Sequence, residues 1–269
     1  MIWANVPRAI ASMLVAAAIG SSAVLAQAPA SQSEPPAAPL GALAPENLKK
    51  PRPAPPFDLT GTWFIDLSAG RWQFGPPYPK LKPEAQKHLD AFNKAAAEGK
   101  VYRDDIGHCW PAGVPIIMTR VWPIAMVQVP TAIYMISGFM NSFRTVFLDG
   151  RTHTDPDIVV RTFNGESIGH WEGDTLVVET KNFIDDEHRW VDPGVRSGAQ
   201  LTMIERIKMI NNGRQLEIAY TLTDPEFWEG EWKATRRWNR VNDTDVTEVE
   251  CLPDLNEHLP STSSKVHVR

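Results

Sequence analysis

Residues 167–180, SIGHWEGDTLVVET, decide the fold. The runs 168–171 and 175–180 are rich in β-branched and aromatic side chains, and Gly173-Asp174 between them is a two-residue turn, so the stretch predicts a tight hairpin. The same texture extends through most of the chain beyond Met118. Residues 124–129, 132–139, 143–148, 201–210, 215–223, 231–240 and 244–251 all read as strands, with Asn211-Asn212-Gly213 as another hairpin turn. Many short strands separated by turn residues predict a mainly β protein. One antiparallel sheet curled on itself into a lipocalin-like β-barrel leaves few edges to protect, and this is the expected fold.

Upstream of the strands, residues 83–98 form the one clear helical pattern, with Pro83 at a first-turn position, Leu89, Phe92 and Ala96 at helical spacing, and Gly99 as terminator. It is expected on the outside of the barrel or capping one end. The run CWPAGVP, residues 109–115, holds two prolines and a glycine and reads as an ordered loop. Residues 59–63, LTGTW, give an opening strand with a buried Trp63.

With 269 residues, 43% of them hydrophobic and 22% charged, the chain suits a single core of about 200 residues plus appendages. The domain is placed at residues 57–252, followed by a tail over 253–269. The net charge of −5, from 27 basic and 32 acidic residues, offers little attraction to a polyphosphate backbone, so nucleic acid is not an expected partner.

Residues 1–26 carry Arg8 as their one charged side chain, then an apolar run over 9–19 and a small-residue stretch over 20–26, the order of a secretory signal. Cleavage after Ala26 or Ala28 would release a periplasmic or secreted protein with no stable membrane insertion. The alternative is an uncleaved anchor, since the apolar stretch approaches the roughly 18 residues that can span a bilayer. Residues 27–56 hold nine of the 23 prolines and few large apolar groups, and are expected to form a disordered tether.

Cys109 and Cys251 are the only two cysteines. In an oxidising compartment they are expected to pair, closing a long loop whose lost entropy in the unfolded chain favours the folded state. Two free buried thiols are the alternative. No Cys-x-x-Cys is present, which gives no support to a redox catalyst or a zinc cage.

Alternation along strands gives the candidate site. Glu205 shares a face with Leu201, Met203, Ile207 and Met209, while Arg236 shares one with Trp232, Ala234 and Trp238. By the same reasoning Arg144 goes with Val146 and Leu148, Tyr220 with Leu216, Ile218 and Leu222, and Tyr134 with Ala132, Ile136 and Gly138. Charges on apolar faces must meet each other, water in a cavity, or a ligand. An internal salt bridge from Glu205 to one arginine would only fix the fold. A ligand-bearing lumen would make Glu205 an acid/base group and the arginines and tyrosines its anchors.

Other candidates are local. Residues 165–169, GESIG, fit the G-x-S-x-G pattern around Ser167, but a nucleophile elbow needs a helix after the serine and a hairpin follows. His170 and Glu172 point to one side of a strand, where a solvent-facing pair is the alternative to proton transfer. Asp149, Arg151 and His153 follow a strand directly and either line a barrel mouth or form a solvated loop. Asp155 and Asp157 lack the other ligands of a calcium loop, and no metal is assigned. The chain's 10 tryptophans, Trp171 and Trp232 among them, either fill the core or line a pocket for a flat or lipophilic molecule.

Four segments together, CWPAGVP (109–115), FRTVFLDGRTH (143–153), SIGHWEGDTLVVET (167–180) and the ERI triplet (205–207), resemble a family of exported bacterial proteins whose members carry little assigned function. The likeness covers roughly residues 105–250. The matching positions are Arg144, Asp149, Gly150, Arg151, His153, Trp171, Glu172, Gly173, Asp174, Glu205 and Arg206. In architecture the chain is also similar to the phenolic acid decarboxylases, lipocalin-like barrels that work without a cofactor through interior Arg, Tyr and Glu side chains. That likeness implies a cofactor-independent lyase, decarboxylating or eliminating from an aromatic or lipophilic substrate in the lumen. Arg144 or Arg236 would hold an anionic group, Tyr134 would orient a hydroxyl, and Glu205 would move the proton. His170 and His153 are reserve acid/base groups, and Tyr220, Trp171, Trp232 and Arg151 are substrate contacts. The alternatives are a non-catalytic binding protein for a small hydrophobic ligand and a hydrolase using Ser167.

Overall fold

The structure is a computed structural model and describes residues 39–70 and 73–256. The expected signal peptide lies outside the described residues, as do most of the C-terminal tail and the first part of the expected tether. In chain order the strands are β1 (Gly61–Ile65), β2 (Lys80–Leu81), β3 (Ile124–Val129), β4 (Ala132–Ser137), β5 (Ser142–Phe147), β6 (Glu166–Glu172) and β7 (Thr175–Lys181). They continue as β8 (Trp190–Asp192), β9 (Val195–Arg196), β10 (Thr202–Ile210), β11 (Gln215–Thr223), β12 (Trp228–Glu229) and β13 (Trp232–Val241). Helix α1 is Pro45–Leu48 and α2 is Pro83–Ala97.

Among the described residues, nine strands close a barrel in the order β1-β13-β11-β10-β7-β6-β5-β4-β3 and back to β1. All neighbours are antiparallel except β5 and β6. A ring with an odd number of strands cannot alternate direction throughout, so one parallel pair is required. It falls where the chain makes its long crossover between Phe147 and Glu166, as parallel pairing demands. The expected antiparallel barrel therefore holds except at this seam.

The β6–β7 hairpin turns at Gly173-Asp174, with Glu172 opposite Thr175 and Gly173 at the left-handed φ of 58° that the first position of such a turn requires. The β10–β11 turn uses Asn211 and Asn212 at φ 52° and 56°. Helix α2 begins at Pro83, has Glu84 in its first turn and Lys94 in its last, and buries Ala85 and Leu89. It stands outside the barrel against β9 and β2.

Two corrections concern the ends of the domain. Residues 39–56 are not a tether: Asn47 and Ala42 are buried, Asn47 Nδ2 donates to Asp149 Oδ2 at 2.9 Å, and Thr131 Oγ1 donates to the Ala42 carbonyl at 2.6 Å. The segment is short of apolar groups yet is ordered by polar bonds to barrel residues. Residues 244–251 are not a strand either. β13 is paired on both sides, by β11 and β1, so a further strand finds no open edge, and the segment runs as an irregular strap.

The lumen is filled. Trp63, Ile65, Ile124, Ile133, Val146, Leu176, Val178, Met203, Ile207, Leu216, Ile218, Leu222 and Trp238 point inward and are at most 1% exposed. At the end where β4 leaves and β10 enters, residues 98–123 and 182–201 cover the barrel and bury Val114, Ile116, Ile117 and Met118 from the first, and Phe183, Val191 and Val195 from the second. At the other end Phe57 packs edge-on against Trp171, ring centres 4.8 Å apart.

Candidate functional site

Strand alternation places Arg144 (β5), Ser167 (β6), Thr180 (β7), Glu205 (β10) and Tyr220 (β11) in one polar layer inside the barrel, none more than 2% exposed. Every nitrogen of the Arg144 guanidinium donates. Nε donates to Ser167 Oγ at 3.1 Å, Nη1 to Glu205 Oε1 at 3.1 Å, and Nη2 to Thr180 Oγ1 at 3.0 Å and also to Glu205 Oε2. Ser167 and Thr180 hydroxyls are 2.9 Å apart. Of the three fates open to a carboxylate on an apolar face, Glu205 meets an arginine. A void wide enough for water would leave accessible surface on these walls, and they have almost none.

Tyr220 stands opposite Glu205 across the β10–β11 ladder, and its hydroxyl has no hydrogen-bond partner among the described residues. Burial, and next the Glu205 carboxylate, push its pKa well above the usual phenol value.

The rest of the expected catalytic set does not join this layer. Tyr134 points outward and stacks on Phe143 at 5.8 Å, because Ile133 and Met135 are the inward residues of β4. Apolar side chains on both faces of that strand hide its parity. Arg236 donates to the Gln73 and Phe74 carbonyls, the latter at 3.0 Å, and so fastens the connection between β1 and β2 rather than meeting Glu205. His170 is exposed on the outer surface, 3.1 Å from Glu172, whose carboxyl is held below its usual pKa by Arg206 and then His170. Trp232 is core and donates Nε1 to the Gly75 carbonyl at 3.2 Å; Trp171 packs on Phe57 at the far end. Ser167 lies within β6 with strand on both sides, so the elbow geometry is absent.

The loop candidates hold the crossover. Arg151 binds Asp149 and the Leu40 carbonyl and stacks on Phe147 at 3.9 Å. Hydrogen bonds from Arg151, followed by Asn47, hold Asp149 down to about 2 against the effect of burial. His153 lies 3.0 Å from Glu166 Oε2 and 3.3 Å from Glu179 Oε2. Burial pushes the Glu166 carboxyl up, but bonds from Thr154, His153 and Asn182 outweigh it and leave its pKa lowered.

A concave site lies at the covered end of the barrel. A cleft of about 450 Å³ is lined by Ile106, Arg120, Trp122, Phe139, Leu252 and Leu255, with Cys251 in one wall. Trp122 and Phe139 face each other at 5.8 Å, and the Arg120 guanidinium lies 5.7 Å from the Phe139 ring centre. Burial lowers the Arg120 pKa, against Asp104 and Asp192. A narrower pocket of about 90 Å³ shares Asp104, Ile106 and Arg120 with the cleft and adds Tyr102, Arg103 and Trp190. The strap carrying Cys251 is held by the Cys109–Cys251 disulfide, which forms as expected.

Sequence reading missed Arg103, Arg120, Trp122 and Phe139. Arg103, Arg120 and Trp122 sit in irregular segments with no periodicity to read, and Phe139, read as the end of a strand over 132–139, lies beyond β4 in a short 3-10 turn; the one signal toward them was the pairing of Cys109 with Cys251. Among the described residues, no group of three or more His, Cys, Asp or Glu is placed to hold a metal, and no helix is long and apolar enough to cross a membrane. No protein-family model matches the chain, and no curated protein matches it significantly in sequence.

Proposed function

We propose that this is an exported small-molecule-binding protein that holds its ligand in the cleft at the covered end of the barrel. The observation that carries the reading is the cleft itself: mostly apolar and aromatic walls, the Arg120 guanidinium with the Asp104 and Glu250 carboxylates, and a wall fixed by a disulfide. Export is supported by that disulfide and by the order of charged, apolar and small residues over 1–26. The test is a thermal-shift and calorimetric screen of aromatic and lipophilic compounds. Hits are expected to lose about tenfold in affinity in Trp122→Ala or Phe139→Ala; hits indifferent to both substitutions would overturn the cleft as the site.

The lyase reading asks Glu205 to reach a substrate, and Glu205 is committed to Arg144 beneath a closed cover. Product formed from an aromatic acid and lost in Glu205→Gln would restore it. Binding without product supports the reading proposed here.

A further inference from the structure

We infer that the ligand is an amphiphilic carboxylate, its aromatic or lipophilic body on Trp122 and Phe139 and its anionic head in the narrow pocket between Arg120 and Arg103; this rests on the cleft being the binding site.

The two compartments share Asp104, Ile106 and Arg120 as walls and differ in chemistry. The larger is mostly apolar. The smaller brings Arg103 and Arg120 to one space of about 90 Å³, which suits a compact head and not a bulky one. The Arg103 side chain is only 10% exposed, and its Nε and Nη2 make no hydrogen bond among the described residues. The nearest carboxylate oxygens are Asp105 Oδ2 at 3.7 Å from Nε and Glu187 Oε2 at 3.9 Å from Nη2, outside hydrogen-bond reach. The ring of Trp190 supports the guanidinium from one side at 4.7 Å.

Two carboxylates also line the small pocket, but both already accept bonds from the protein. Asp105 Oδ2 accepts the Trp190 indole N–H at 2.5 Å, and Asp104 Oδ1 accepts the Gly107 N–H at 2.8 Å. What the pocket has spare is therefore donors on a nearly buried guanidinium, and a carboxylate supplies two acceptors in the geometry a guanidinium matches. A cationic head would meet both arginines, and a neutral one would leave the Arg103 donors unfilled.

The test uses the mature, oxidised protein and one aromatic body with different heads: 2-naphthoate, 2-naphthylmethanol, 2-naphthylmethylammonium and 2-naphthalenesulfonate, titrated by calorimetry. 2-Naphthoate is expected to bind at least about tenfold tighter than the alcohol or the ammonium compound, and tighter than the bulkier sulfonate. Arg103→Met should erase the preference over the alcohol, and Arg103→Lys should retain part of it. If a variant does not fold, the head comparison on the unaltered protein decides alone. Equal affinity for the charged and neutral heads, or preference for the ammonium or sulfonate compound, would overturn the carboxylate and leave the cleft standing. Failure of every head to bind would remove the cleft reading itself.

Discussion

Arg144 and Glu205 face each other end-on within the filled lumen, Nη1 against Oε1 at 3.1 Å and Nη2 against Oε2, with both side chains sealed from solvent. Removing one partner leaves the other charge buried without compensation. Arg144→Met is expected to cost about 3–5 kcal/mol of stability, and the double change Arg144→Met with Glu205→Met to recover most of that loss. Urea unfolding of the single and double variants measures the coupling. A single-variant cost below about 1 kcal/mol would mean the pair is not desolvated in solution.

Ser167 accepts the Arg144 Nε–H and lies against Thr180. Ser167→Ala leaves that N–H buried without an acceptor and is expected to destabilise by about 1–3 kcal/mol. Ester hydrolysis, if any is measured, should be unchanged; its loss would revive the hydrolase reading.

The Tyr220 hydroxyl behaves oppositely. It is buried beside the ion pair with no hydrogen-bond partner among the described residues, so Tyr220→Phe removes a desolvated polar group and leaves the ring packing against Phe74 at 5.1 Å. The expected result is equal stability or a gain of about 1 kcal/mol. A loss of that size in thermal unfolding would show that the hydroxyl is satisfied in solution.

These interior residues were legible because β10 and β11 carry polar groups such as Arg206, Lys208 and Glu217 on the outer face, and the parity is unambiguous. On β4 the outer Tyr134 and Ile136 are as apolar as the inner Ile133 and Met135, and the reading took the wrong face. Residues 244–251 have the composition of a strand, but strand formation needs an open edge, which is a property of the closed ring and not of the segment. The order of residues 39–56 depends on Asp149 and Thr131, about a hundred residues away in sequence, and no local pattern announces it. The cleft is the extreme case, assembled from loops whose meeting is decided by the disulfide and the covering segments.

Asp149 ties the N-terminal segment to the barrel through Asn47 and Arg151, and bonds from Arg151 hold its pKa at about 2. A carboxyl lowered on folding stabilises the folded state above its unfolded pKa of about 4, and that contribution is lost as pH falls through the folded value. Between roughly pH 4 and 2 the unaltered protein should therefore lose stability that Asp149→Asn has already lost, and the two melting curves should converge. Parallel curves across that window would exclude Asp149 as the titrating group. The Asp149 side chain is only 6% exposed and its Arg151 partner 17%, so salt should weaken the effect only in part.

The disulfide joins two segments that the barrel does not otherwise need. Cys109 lies in the connection from α2 to β3 and Cys251 in the strap after β13, 142 residues apart, while the ring of strands is complete at Val241. Apart from the disulfide, the strap is fastened by contacts such as the Val249 N–H to Asn141 Oδ1 at 3.0 Å. Replacing both cysteines by serine should cost stability by less than the chain-entropy limit of about 5 kcal/mol for a loop of this length, since the strap contributes few buried groups whose loss would add to it. The local effect should be larger than the global one. Amide exchange is expected to accelerate over residues 244–252, and ligand affinity to fall as Val249, Leu252 and Leu255 leave the cleft wall, while the amides of β10 and β11 keep their protection. Equal acceleration in strap and barrel would show that the disulfide holds the whole domain together, and an unchanged affinity would place the ligand away from the strap.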